Sequence, residues 1–114
     1  MSQLPNAAGA KVPNEKITRY LLDPSHSAQA AAKAQFFVGH GFSQSRWLDL
    51  QRALLDHPRA NPVMARVTTP FGEKYEVSCT LATPDGRNPC IISVWIVEQP
   101  DPNPRLVTAY PNPP

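Results

Sequence analysis

Residues 74–81, KYEVSCTL, alternate strictly between polar and apolar side chains. An alternation of period two predicts a β-strand with one buried face and one wet face. Residues 63–68, VMARVT, alternate in the same way, and the turn signal Pro70-Phe71-Gly72 separates the two runs. The two runs therefore predict neighbouring antiparallel strands joined by a short turn.

Two further strands are predicted on the C-terminal side of this pair. Residues 84–87, PDGR, favour a turn, since Pro fixes φ and Gly supplies a positive φ. Residues 91–97 are apolar on both faces, which is typical of a central strand. After the proline-rich connection 100–104, residues 106–110 form a last short strand.

The hydrophobic period changes to 3.6 on the N-terminal side, where three helices are predicted. Residues 15–22 form a short helix, and residues 28–38 form a second one rich in Ala, the best helix former. A third helix is capped by Ser43 and ends near residues 57–58, since Pro interrupts helices. The predicted fold class is α+β, with three N-terminal helices packed on a four-stranded antiparallel sheet.

The composition fits one small domain. The chain has 114 residues, of which 14 are Pro and 5 are Gly, and 41% are hydrophobic. This length excludes a doubly wound nucleotide enzyme and an eight-unit strand–helix barrel. We predict a single domain, 1–114, with an extended N-terminal arm, 1–13, anchored by Leu4 and Val12, and a proline-rich tail, 111–114.

Charge and motifs exclude several classes. Eleven Lys and Arg against nine Asp and Glu leave a net charge of +2, too little to indicate nucleic-acid binding alone. No apolar run suffices for a membrane helix, and no secretory signal is seen, so we expect a cytoplasmic protein. Cys79 and Cys90 are expected to be reduced thiols, with a bridge between adjacent strands as the alternative. No metal or cofactor motif is present, and His40 and His57 fit helix ends.

Two polar residues of the second helix have two interpretations each. His26 stands at the helix start, where free backbone amides attract an anion. Lys33 follows seven residues later, two turns along the same face. Together they can hold a phosphate and move a proton. Alternatively, His26 is only a residue of the cap region and Lys33 is only a solvated side chain.

The strands add four further candidates. Lys74 lies on the polar face of its strand, which is either a plain solvent face or the wall of a cleft. Trp95 is either a core residue or the floor of a base-stacking groove. Arg105 is a candidate anion clamp, and Thr108 is a candidate hydroxyl donor.

Ordered segments along nearly the whole chain resemble a bacterial domain family of unknown function. The segments are LPNA (4–7), YLLDPSH (20–26), KAQFF (33–37), GF (41–42), GEKY (72–75), PDGR (84–87), VWI (94–96) and PRLVTAYP (104–111). That family in turn resembles C-terminal toxin modules of contact-dependent inhibition and other polymorphic toxin systems. Those modules are similar to metal-independent ribonucleases of the barnase–EndoU–colicin–RelE group, which pack N-terminal helices on a curved antiparallel sheet.

The resemblance implies attack of a ribose 2′-hydroxyl on the adjacent phosphate, with no cofactor. It assigns His26 as general base or acid and Lys33 and Arg105 as stabilisers of the phosphorane charge. Thr108 would hydrogen-bond a phosphate oxygen, and Lys74 would steer the RNA backbone. RNA and a cognate immunity protein are the implied partners.

A second hypothesis is a catalytically inactive interaction or accessory module of a toxin or phage locus. The low net charge favours it, because a protein that binds a polyanion gains affinity from many cations. The proline-rich segments 100–104 and 111–114 would then serve as extended docking strands. This hypothesis predicts dispersed polar residues, with an exposed apolar patch or a dimer.

Overall fold

The computed structural model describes residues 3–23, 25 and 27–113 of the chain. The sheet has four antiparallel strands, and their order in the sheet follows their order in the chain. The strands are β1 (Val63–Thr69), β2 (Gly72–Thr80), β3 (Cys90–Val97) and β4 (Arg105–Pro111). All four strands predicted from the alternation are confirmed.

The helical segments precede the sheet, so the α+β class is confirmed. A π-helical segment, Lys16–Leu21, lies where the first helix was predicted. Helix α1 spans Ala28–Gly39 and helix α2 spans Trp47–Ala60. Two single 3-10 turns, Ala7–Gly9 and Gln44–Arg46, complete the helical structure of the described residues.

Local signals define the ends of α1. The Ser27 hydroxyl accepts a hydrogen bond from the Ala30 amide at 3.0 Å, which satisfies a free donor of the first turn. At the other end, Gly41 has φ +101, a conformation that favours glycine. This cap places Lys33 at the middle of a defined helix.

Helix α2 continues beyond the predicted end at residues 57–58, so that boundary was wrong. Pro58 lies in the last turn, where it is buried. The Asn61 side-chain amide donates to the carbonyls of His57 and Thr80, each at 2.9 Å. These bonds fix the helix end against β2, beyond the proline.

The core lies between α2 and the sheet face that we call the helix side. Leu50 and Leu54 of α2 pack there with Trp95 of β3 and Leu106 of β4, and all four are fully buried. Burying each such side chain contributes roughly 1.5–3 kcal/mol. Residues alternate along strands, so the neighbours of Trp95 point to the opposite face, which we call the groove side.

The N-terminal arm lies beside β4. Leu4 and Val12 are buried, as predicted for its anchors. The Lys11 amide donates to Pro104 and the Lys11 carbonyl accepts from Leu106, at 2.8 and 2.9 Å. The arm thus occupies part of the β4 edge, whereas β1 forms the opposite edge of the sheet.

Cys79 and Cys90 form a disulfide between β2 and β3, so the expectation of reduced thiols was wrong. The register pairs Thr80 with Cys90, which brings the two cysteine Cα atoms to 4.3 Å. The structure thus has the alternative arrangement, a bridge between adjacent strands.

Candidate functional site

Two adjoining pockets along β4 form the strongest candidate site. A smaller pocket of about 190 Å³ is lined by the π-helical segment, α1 and β4, and includes Lys16 and Lys33. A larger one of about 540 Å³ lies on the groove side and includes Lys16, Lys74 and Arg105. Both pockets share Lys16 and Val107, so they are direct neighbours. We call this region, with its cations Lys16, Lys33, Lys74 and Arg105, the basic groove.

Lys33 joins α1 to β4 inside the smaller pocket. Its Nζ donates a hydrogen bond to Thr108 Oγ1 at 2.9 Å and lies 5.9 Å from the centre of the Tyr110 ring. Partial burial, followed by the charge of Lys16, lowers the pKa of Lys33. The Lys33 ammonium is therefore a better proton donor than an ordinary lysine, and an anion that enters the pocket would stabilise its charge.

The sheet register aligns acceptors and donors next to this lysine. Thr108 pairs with Val94, which pairs in turn with Glu76, so these three side chains share the groove side. Tyr110 lies two residues beyond Thr108 on the same face. Its pKa is raised by burial first and then by the charge and hydrogen bonding of the Glu76 carboxylate. The Tyr110 phenol therefore stays protonated at neutral pH.

Lys74 and Arg105 flank Ile96 on the groove side, since both pair with this residue from neighbouring strands. Arg105 is ion-paired with Glu98, and both side chains are about half exposed. Of the four groove cations, Arg105 alone forms an ion pair within the described residues. Because Glu98 pairs with Arg105 and Glu76 lies on the same face, the groove keeps a smaller positive charge than its four cations alone would give.

Four of the six site residues predicted from the sequence lie in the basic groove. Lys33 and Thr108 are in direct contact, while Lys74 and Arg105 line the adjoining pocket. His26 lies outside the described residues. Trp95 is fully buried on the helix side, where its indole Nε1 donates to Ser93 at 2.8 Å. Trp95 therefore does not line the groove, and its interpretation as a substrate-binding residue was wrong.

Sequence reasoning missed two members of the groove. Lys16 was placed in a helix without a role, and its contribution depends on the packing of the π-helical segment beside β4. Tyr110 shares a face with Thr108 because of the strand period, and this alternation was the signal that pointed to it. Glu76 was noted only as part of a polar strand face.

The other two histidines lie away from the groove. His57 is buried, and its ring nitrogens bond to the Ser93 hydroxyl at 2.8 Å and the Cys79 carbonyl at 2.9 Å. Burial lowers the pKa of His57, so its imidazole stays neutral at pH 7. His40, at the end of α1, is hydrogen-bonded through Nδ1 to Oδ2 of Asp85, which lies in the loop before β3, at 2.9 Å. Both positions are accounted for by structural contacts.

Metal-ligating clusters and membrane-spanning helices are both absent from the described part of the chain. Among residues 3–23, 25 and 27–113, no three metal-ligating side chains come together. In the same residues, no helix has the length and apolar character needed to cross a bilayer.

Comparisons with known proteins agree on a family and a fold. A family model with the description "Domain of unknown function (DUF6883)" matches residues 3–113. One similar solved structure is a chain of a contact-dependent growth inhibition toxin–immunity protein complex from Klebsiella pneumoniae 342, with 17% identity and a TM-score of 0.73. The match covers 93% of this chain and 96% of that chain, so the two share a fold. No curated protein matches the chain.

Proposed function

The chain belongs to the DUF6883 family, and we propose that it is a toxin-like module that cleaves RNA without a metal ion. The contact between Lys33 and Thr108 carries this proposal. It joins two polar residues 75 positions apart at the wall of a pocket that also holds Lys16. The shared fold with a chain of a toxin–immunity complex supports the toxin-like class.

The proposed reaction is an internal transfer of the phosphodiester. The ribose 2′-oxygen forms a bond to phosphorus and loses its proton to a general base. The bond from phosphorus to the 5′-oxygen breaks, and a general acid returns a proton to that oxygen. The products are a 2′,3′-cyclic phosphate and a 5′-hydroxyl, so the step requires no oxidant and no metal.

The groove residues supply charge and hydrogen bonds to this transition state. Negative charge grows on the non-bridging oxygens of the phosphorane, where Lys33 and Arg105 stabilise it. Thr108 accepts its bond from Lys33, so the hydroxyl proton of Thr108 is available for a phosphate oxygen. Lys74 binds the neighbouring phosphate of the RNA backbone, and Lys16 adds a further cation between the pockets.

His26 is proposed as the general base or acid, a role that the family resemblance implies. An imidazole has a pKa close to neutral, which suits proton transfer in either direction. The ammonium of Lys33, with its lowered pKa, is the second proton carrier that the groove offers.

Incubation of the purified protein with total RNA in EDTA tests the activity. The wild type is expected to generate fragments with 2′,3′-cyclic phosphate ends. His26→Ala, Lys33→Ala and Thr108→Val are each expected to lose cleavage, by about 100-fold or more for Lys33→Ala. Arg52→Ala is the matched control, since it removes one exposed positive charge from α2.

Three results would contradict the proposal. They are wild-type protein that leaves RNA intact, cleavage that EDTA abolishes, and cleavage that Lys33→Ala and Arg52→Ala reduce equally. Circular dichroism of each variant separates a lost activity from a lost fold.

A second candidate function, a protein-binding accessory module, is favoured by one observation. Met64, Val67 and Phe71 expose 61%, 50% and 77% of their surfaces at the β1 edge of the sheet. The solved complex pairs a toxin with an immunity protein, so a cognate protein partner is also proposed here. Sedimentation of the protein alone and with the product of a neighbouring gene tests this candidate. A stable complex that forms through β1 without any RNA cleavage would favour it over the ribonuclease.

A further inference from the structure

Phe71 is the most exposed of the large apolar side chains described, with 77% of its surface accessible. It lies in the turn between β1 and β2, at the edge of the larger pocket of the basic groove. A single exposed apolar residue is common on protein surfaces and by itself indicates nothing. The meaning of Phe71 therefore depends on how it is held and on what surrounds it.

The turn holds Phe71 in a defined place. The Thr69 hydroxyl donates to the Gly72 carbonyl at 2.7 Å and accepts from the Phe71 amide at 3.2 Å. Gly72 has φ +146, and a Cβ there would lie 2.2 Å from the Val97 carbonyl oxygen, so only glycine permits this approach of β2 to β3. An aromatic ring presented on a fixed turn loses little conformational entropy when it contacts a ligand.

The surroundings of Phe71 combine an apolar surface with positive charge. The pocket that it lines has a volume of about 540 Å³, within the range of about 300–1,000 Å³ found for small-ligand sites. Ile96 forms part of its wall, and Lys16, Lys74 and Arg105 supply cations. Aromatic rings next to cations are the elements with which proteins bind single-stranded nucleic acid, since bases stack and phosphates pair with the charges.

The pocket leads directly to the proposed reaction site. Arg105 and Thr108 are three residues apart on β4, which corresponds to about 10 Å along a strand. Lys16 and Val107 line both pockets, so the two pockets lie side by side along β4. A short strand of RNA can therefore contact Phe71 and the Lys33–Thr108 pair at the same time.

We propose that Phe71 forms a base-stacking subsite for single-stranded RNA, with Lys74 binding the flanking phosphate. This inference rests on the proposed function and adds a substrate class to it, an unpaired nucleotide beside the scissile phosphate. A duplex does not fit the subsite, because its bases are already stacked on one another. Arg105 is paired with Glu98, which also lines the pocket, whereas Lys16 and Lys74 form no ion pair within the described residues. These two cations favour RNA over a protein as the occupant, since an apolar protein contact gains nothing from unpaired charges.

Binding of a 2′-O-methyl oligoribonucleotide of eight residues tests the subsite with the intact protein. This probe lacks the attacking hydroxyl, so it is bound without being cleaved. Fluorescence anisotropy is expected to give a Kd that Phe71→Ala weakens roughly 5- to 100-fold. Phe71→Leu is expected to weaken it as well, while Phe71→Trp retains binding. Met64→Ala, an exposed apolar change on the same edge, is the matched control and leaves Kd unchanged.

An abasic series identifies stacking more directly. One abasic position in the probe is expected to weaken binding to the wild type but to leave the Kd of Phe71→Ala unchanged. Salt titration separates the two kinds of contact, since Lys74→Gln lowers the salt slope by about 0.7 and Phe71→Ala does not change it.

The outcomes separate this inference from the proposed function. A Phe71 effect on binding in a protein that cleaves no RNA supports the subsite and contradicts the ribonuclease. Cleavage by a protein whose Kd is insensitive to both Phe71→Ala and Phe71→Leu contradicts the subsite alone. A Phe71→Ala change that alters protein association but not Kd assigns the turn to a protein contact, and a wild type that does not bind the probe contradicts both.

Discussion

The helix side and the groove side of the sheet each present a hydrogen-bonded pair of polar residues, and the two pairs differ in access. On the helix side, His57 and Ser93 are buried beneath α2. On the groove side, Lys33 and Thr108 lie at the wall of a pocket that adjoins a larger one. The residue types of the first pair, a histidine beside a serine, suggest catalysis. A substrate can reach only the second pair, however, so the lysine and the threonine are the better candidates.

The hydrogen bonds explain the difference. The Cys79 carbonyl can only accept, so His57 Nε2 carries the proton and Nδ1 accepts from the Ser93 hydroxyl. The Ser93 oxygen accepts in turn from Trp95, and the donors of this network are all used. In the groove, Lys33 donates to Thr108 and leaves the hydroxyl proton of Thr108 for a ligand. The candidate site therefore differs from the buried network because it keeps a hydrogen-bond donor for a ligand. The types of the residues do not make this distinction.

Trp95 gives the largest expected effect, and it tests the helix side. Trp95→Ala is expected to lower the free energy of unfolding by about 3–5 kcal/mol, because it leaves a cavity in the core. Trp95→Phe keeps most of the volume and loses mainly the bond to Ser93, so a loss of about 1–2 kcal/mol is expected. Urea denaturation measures both, with Phe71→Ala as an exposed control within about 0.5 kcal/mol of the wild type. If Trp95→Phe instead weakens oligonucleotide binding and leaves the stability unchanged, the helix side of the sheet contributes to binding and its role is not only structural.

The disulfide gives the next largest effect. It closes a segment with a sequence separation of 11 residues, so chain entropy predicts a contribution of about 2–3 kcal/mol. The double variant Cys79→Ser/Cys90→Ser is expected to show this loss in urea, and the wild type in reductant is expected to match it. The bridge lies about 17 Å along β2 from Lys74, so Kd for the oligonucleotide should not change. Reductant that changes Kd and leaves stability intact would contradict this assignment.

Much of the fold could be predicted because local patterns determine it. The alternation in residues 74–81 and the apolar run 91–97 indicate β2 and β3 directly. The end of α2 could not be predicted in the same way, since bonds from Asn61 to His57 and to Thr80 of β2 fix the helix end beyond Pro58. Such long-range bonds leave no periodic signal in the sequence.

The candidate site could be predicted only in part for a related reason. Lys33 and Thr108 were candidates from their positions in the sequence and then from the resemblance, whereas the importance of Lys16 depends on the packing of a π-helical segment beside β4. Trp95 illustrates the reverse case, because a strand that is apolar on both faces does not reveal which face the indole occupies. The register of the sheet supplies that information.

A smaller effect is expected from pH, and it distinguishes His57 from the groove. The pKa of His57 is lowered by burial, so the unfolded chain binds more protons than the folded one below about pH 6.5. The contribution of His57 to the free energy of unfolding is therefore complete above pH 6.5. It is lost as the pH falls, by at most about 1.4 kcal/mol per pH unit. Urea denaturation between pH 5 and 8 measures the slope. His57→Gln is expected to be less stable throughout and to lack this slope, and an equal slope in both proteins would contradict the role of His57.

The smallest effect is expected at alkaline pH in the groove. Burial and Lys16 lower the pKa of Lys33, so Lys33 loses its charge at a lower pH than an exposed lysine does. The affinity for the 2′-O-methyl probe should therefore begin to fall at a lower pH than an ordinary lysine would cause, and a probe of adenine and cytosine, which do not titrate there, isolates this change.

Lys33→Arg is the matched variant for this measurement, because arginine stays charged throughout the range. Its affinity is expected to be flat from pH 7 to pH 9.5, while Lys74→Arg, which leaves Lys33 in place, is expected to follow the wild type. The phenol of Tyr110, with its raised pKa, stays neutral in this range and adds no charge to the groove. If the affinities of the wild type and of Lys33→Arg respond equally to pH, a group other than Lys33 causes the pH dependence of binding. Lys33 would then be a structural residue like the buried His57, although it is more exposed.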